Sequence, residues 1–148
     1  MRTFVRGFIV AGALGCMTFG AFAQDAETQR QIEAATKVSG GQFHAFAVPS
    51  SGAIADAAFV EKSKRSGPSK VAKQLAAGIG GADTSPVTVA VVGPSESKNV
   101  QVIRDALLAT GKKSLPMLEV IFVGSKAMAD ELQPVVVGYG AKFTFAAL

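Results

Sequence analysis

The chain has 148 residues, with 15 Lys and Arg against 11 Asp and Glu, one His, one Cys and no Trp. That length suits one domain able to bury a core of its own, and a formal charge of +4 demands no nucleic-acid partner. A single His and a single Cys leave no intramolecular disulfide and no zinc site built from Cys and His, so no metal is expected.

Residues 1–23, MRTFVRGFIVAGALGCMTFGAFA, have the layout of a secretory signal. Arg2 and Arg6 lie near the start, an apolar stretch follows, and Ala21 and Ala23 supply the small residues that a signal peptidase accepts before its cut. Cleavage there makes Gln24 the first residue of an exported chain, periplasmic or secreted. A retained anchor fits less well, because Gly7, Gly12, Gly15 and Gly20 interrupt the stretch and a bilayer span needs about 20 apolar residues. No membrane span is expected after cleavage. Cys16 follows Leu14 and Gly15 in an order that does not suit lipoprotein attachment, and cleavage removes it. Loss of Arg2 and Arg6 from the 15 basic residues, against 11 acidic, lowers the formal charge to about +2.

In residues 24–41, DAETQRQIEAATKV is helix-compatible but carries few large apolar residues, Ile32 and Val38 being the main ones, and Gly40 and Gly41 end it. This is the expected lead-in, a loosely docked helix or a flexible segment, to an α/β domain over residues 42–148. Residues 43–48, FHAFAV, read as a strand closed by Pro49, Ser50, Ser51 and Gly52. The stretch AIADAAFVEKSK supports a helix with Ile54, Ala57, Ala58 and Phe59 towards one side. After Gly67 and Pro68 a new helix starts, with Val71, Ala72, Leu75, Ala76 and Ile79 on one face. Lys62, Lys64, Arg65, Lys70 and Lys73 surround that junction and read as a solvated cluster.

Residues 87–92, VTVAVV, and 118–123, LEVIFV, are apolar enough for strands buried on both faces of a parallel sheet. Between them Val100, Ile103 and Leu107, widened by Leu108, form a helical stripe that Gly111 closes. After Gly124, residues Met128, Leu132, Val135, Val136 and Tyr139 recur at helical spacing. Pro134 lacks an amide donor, which predicts a kink or break near Gln133. Residues 142–146, KFTFA, complete the pattern as a strand with Phe143 and Phe145 on one face. The alternation predicts an α/β three-layer sandwich around a small, mostly parallel four-stranded sheet of Rossmann-like or flavodoxin-like topology.

In such sheets ligands bind beyond the carboxyl ends of the strands, so Gly93, Ser95, Ser97, Gly124, Ser125 and Lys126 are the candidate ligand-binding residues. The phosphate-loop and dinucleotide fingerprints are absent, and no cofactor is expected. The segment Gly93, Pro94, Ser95, Glu96, Ser97 approximates the G-x-S-x-G elbow of serine hydrolases, with His44 as the one available base. Each part of it also has a structural use: Ser95 or Ser97 as a helix N-cap, and Glu96 at the positive end of the helix dipole. The resulting expectation is an exported, non-enzymatic module that binds a protein partner or serves an envelope or secretion assembly. A small anionic ligand at the strand ends is the alternative, and a small serine hydrolase ranks below both.

Overall fold

The computed structural model describes residues 26–148; the leader, Cys16 and the expected cleavage site lie outside the described residues. The elements in chain order are α1 (Ala26–Ser39), β1 (His44–Ala47), α2 (Ala53–Ser66), α3 (Lys70–Ile79), a 3-10 turn (Gly80–Asp83), β2 (Val87–Val92), α4 (Glu96–Ala109), β3 (Leu118–Gly124), α5 (Lys126–Val137) and β4 (Lys142–Ala147). Serines start three of the helices. Ser69, Ser95 and Ser125 each accept an N–H from the first turn of α3, α4 and α5, at 3.1, 3.4 and 3.4 Å.

The four strands are all parallel, so the chain is of the α/β class, and they lie side by side as β1-β2-β3-β4. This order corrects the expected topology. Rossmann-like and flavodoxin-like sheets reverse direction at a switch point, where a crevice opens. Here each crossover steps one strand further the same way, α3, α4 and α5 share one face, and no reversal occurs.

That face holds the larger core. Val89, Val91, Val120 and Phe122 point into it and meet Leu75 and Ile79 of α3, Ile103 and Leu107 of α4, and Leu132 and Val136 of α5. The opposite face is built mostly from small side chains, Ala47, Ala90, Val92, Ile121, Val123 and Ala146, and α1 packs on it through fully buried Ala35. A helix with little apolar bulk can lie close against alanines. This is why α1, which the sequence suggests is loosely docked, covers a face of the sheet.

Two helices depart from the stripes expected of them. Ile54 is 88% exposed, and Ala57 and Ala58 are exposed with it. α2 instead turns Asp56 and Ser63 inward, with Phe59 and Val60 half-buried, because a lysine of α4 waits there for a carboxylate. Leu108 is exposed, while α4 buries Lys98, Asn99, Gln101 and Asp105 beside its apolar stripe. α5 continues through Pro134 to Val137 without a break. The proline is exposed, and Gly138 N–H to Pro134 carbonyl at 3.0 Å and Tyr139 N–H to Val136 carbonyl at 3.0 Å carry on the bonding after it.

Asp105 is nearly buried, and its Oδ1 accepts from Gln101 Nε2 at 2.9 Å while Oδ2 has no hydrogen-bond partner among the described residues. Burial raises its pKa above the ordinary carboxylate value, against the opposing effects of the Gln101 bond and the nearby Arg104 charge. A carboxyl that is easier to protonate in the folded state weakens the fold above its folded pKa, and the weakening fades as pH falls. Asp105→Asn is therefore expected to stabilise the protein by about 1 kcal/mol at pH 7. Urea denaturation across pH checks this; an advantage that grew in acid would contradict it.

Candidate functional site

The carboxyl ends of β1, β2 and β3 bring three turns together, and their polar groups are bonded mainly to one another. At the β2 end, Gly93 donates its N–H to Gln31 Oε1 at 2.6 Å and accepts from Gln31 Nε2 at 3.0 Å, so one amide of α1 grips both backbone groups of the turn. Asn99 Nδ2 also donates to the Gly93 carbonyl, at 3.2 Å. There is no room for a side chain here. A Cβ at Gly93 would stand 2.5 Å from the Val48 carbonyl oxygen and 2.9 Å from Asn99 Oδ1.

Between the β1 and β2 ends lies a buried ion pair. Lys98 Nζ is 3.2 Å from Asp56 Oδ1, donates to the Pro49 carbonyl at 2.5 Å, and sits 4.7 Å from the centre of the Phe59 ring. Asp56 also accepts from the Ser51 N–H at 3.0 Å and from the Ser50 hydroxyl. Burial alone would raise the Asp56 pKa, but the Ser50, Ser51 and Lys98 hydrogen bonds and the Lys98 charge together hold it below the usual carboxylate range. α2 has Gly52 as its N-cap, which offers no side chain, and Asp56 in its first turn reaches back to hold Ser50 and Ser51 just before the helix.

The β3 end is closed in the same manner. Glu96 Oε1 accepts from the Ser125 N–H at 3.0 Å and from its hydroxyl at 2.8 Å, so a carboxylate of α4 occupies the start of α5. A Cβ at Gly124 would come within 2.9 Å of that carboxylate. Lys126 is turned along its own helix to Asp130, at 2.9 Å. Thus the structure divides the six candidate ligand-binding residues. Gly93, Gly124, Ser125 and Lys126 face or hold internal partners, whereas Ser95 and Ser97 line an open hollow of about 320 Å³ with Ser50, Ala53, Asp56, Ala57 and Pro94.

The serine elbow does not form. Ser95 is in extended backbone and its hydroxyl caps α4. His44 begins β1 opposite Val89, and Ser95 lies beyond the carboxyl end of β2 at Val92, so the strand alone separates the two by about 10 Å, far outside hydrogen-bond reach. His44 is exposed and lines a different hollow, with Leu75 and Ile79. Among the described residues no group of three or more His, Cys, Asp or Glu stands together to hold a metal, and no helix is long and apolar enough to cross a membrane. The basic residues Lys62, Lys64, Arg65, Lys70 and Lys73 are all exposed.

Sequence reasoning missed Gln31, Asp56 and Lys98. A signal existed for the last: a lysine in the first turn of a helix opposes the dipole and calls for a compensating acid. By fold, then, this is an α/β protein with an all-parallel four-stranded sheet whose strand-end turns are locked by internal polar contacts. No protein-family model, curated protein or solved structure gives a significant match to the chain.

Proposed function

We propose that the protein is an exported α/β module, periplasmic or secreted, that binds a protein partner as an accessory of an envelope or secretion assembly. The observation that supports this reading most is the mutual bonding at the strand ends. Glu96 to Ser125, Lys98 to Asp56 and Gln31 to Gly93 use groups that a catalytic site would direct at a substrate. The leader-like residues 1–23 supply the export half of the reading.

Mass spectrometry of the protein recovered after export is expected to find a chain beginning at Gln24. Cross-linking in the native envelope is expected to give a discrete protein adduct. Turnover of a generic ester or phosphate substrate that Ser95→Ala abolishes would overturn the non-enzymatic reading. The hollow at Ser50, Ser95 and Ser97 favours a second reading, a small anion held by hydroxyls and the first-turn amides of α4. Thermal shift against phosphates and carboxylates tests it, since a specific ligand raises the unfolding temperature by mass action. No shift at millimolar ligand removes it.

A further inference from the structure

We infer that β4 is a self-association edge, along which a second copy of this chain adds its own β4 antiparallel to extend the sheet across a two-fold axis. This inference stands apart from the proposed function and is read on the isolated protein.

β4 is the last strand of the sheet order, paired on one side to β3 over six positions, from Glu119 with Lys142 to Gly124 with Ala147. Its other side carries the alternate N–H and C=O groups that a strand edge offers to a further strand. The opposite edge, β1, has only four residues and runs into Pro49, so β4 is the longer template. Natural edges are commonly guarded by prolines, inward charges or bulges; in KFTFAA the one guard is Lys142 at the first position.

The side chains of β4 complement themselves. With a two-fold axis through Thr144, residues that face the same side of the sheet oppose one another: Phe143 meets Phe145 of the second copy, Phe145 meets its Phe143, and Lys142 meets Ala146. Two aromatic pairs form on the face shared with α5, a Thr–Thr pair sits on the axis, and no like charges are opposed. Phe143, Thr144 and Phe145 are each half-buried, whereas their partners in β3, Val120, Ile121 and Phe122, are fully buried. A neighbouring strand would complete that burial.

On the other face a hollow of about 340 Å³ lies between α1 and the end of β4, bordered by Arg30, Glu33, Lys37, Val38 and Leu148. Along α1 the acid Glu33 stands between the bases Arg30 and Lys37. That order reads the same from either end, so the charges of α1 do not select the direction of the second copy; the antiparallel choice rests on the β4 side-chain pairs.

The test uses the naturally processed protein with Cys16→Ser, so that an introduced cysteine is the sole thiol whether or not the leader remains. Sedimentation at tens to hundreds of micromolar is expected to show a dimer. Thr144→Cys is then expected to form an intermolecular disulfide under mild oxidation, because residues opposed across the axis lie within disulfide reach. His44→Cys, on the far edge, is expected to stay reduced. Thr144→Lys, which sets two cations against each other on the axis, is expected to weaken dimerisation at least tenfold while the unfolding transition remains cooperative. A monomer throughout the concentration range overturns the inference. So does a dimer that cross-links through His44→Cys and not through Thr144→Cys.

Discussion

Lys98→Ala is expected to destabilise the protein by roughly 3–5 kcal/mol, the cost of leaving one member of a buried ion pair without the other. Both side chains are almost wholly withdrawn from water, at 7% and 5% exposure. The loss should not be spread evenly. α2 buries only Asp56 and Ser63 fully, with Phe59 and Val60 half-buried, so its attachment to α4 depends on the Lys98 contacts to Asp56, Pro49 and Phe59. Hydrogen exchange over residues 53–66 should therefore rise well before exchange in β2 and β3, since weakly packed elements open first. The double variant Lys98→Met with Asp56→Leu should recover most of the loss, because well-packed apolar pairs commonly replace buried ion pairs at little cost. If Lys98→Ala unfolds at the wild-type denaturant midpoint with unchanged exchange in α2, the pair does not anchor that helix.

The same pair sets an acid limit with a definite sign. Asp56 has a folded pKa below its unfolded value of about 3.9, so its contribution is complete above that value and is lost as pH falls through the folded one. Asp105 acts in the opposite sense over the neighbouring range, since its folded pKa is raised and its unfavourable effect disappears on protonation. Asp56→Asn should flatten the acid limb of the stability profile, and Asp105→Asn should steepen it. Equilibrium unfolding between pH 2 and 6 distinguishes the two; identical profiles for both variants would contradict the assignment.

Much of the fold was legible because hydrophobic period reports burial directly. VTVAVV and LEVIFV became β2 and β3, and the stripe from Val71 to Ile79 became the buried face of α3. The strand order was not legible, since each crossover is right-handed whether the chain steps onward or turns back, and no local residue records the direction. α1 was undervalued because a stripe is judged by bulk, whereas its partner face carries Ala47, Ala90 and Ala146 among its valines and isoleucine and asks for closeness. Within the site, the capping role of Ser95 was readable from its place between a strand and a helix, but Glu96 was read only as a dipole complement. Its carboxylate reaches across to Ser125, 29 residues away, and such pairings are a product of the sheet order that the sequence does not record. For the same reason neither Asp56 nor Lys98, 42 residues apart, could be assigned its partner from the sequence.

Gly93→Ala is expected to be the most damaging single methyl in the protein, at roughly 3 kcal/mol, the upper part of the range for overpacking. The new Cβ would meet the Val48 carbonyl oxygen at 2.5 Å, a backbone atom that cannot swing aside. Val48 is itself held by its N–H to the Val92 carbonyl at 2.8 Å, so β1 cannot retreat without giving up its pairing with β2. The turn must move instead, and moving it strains both bonds from Gln31 and the one from Asn99. Gly78→Ala provides the contrast: nothing lies within 4 Å of its added Cβ, it sits inside α3, and a gain of about 0.5–1 kcal/mol is expected. Because Gly93→Ala and Gln31→Ala act on the same contacts, their combined effect should fall short of the sum by more than about 0.5 kcal/mol. Strict additivity would mean that the displacement at Gly93 does not reach the Gln31 bonds, and that the two contacts act independently.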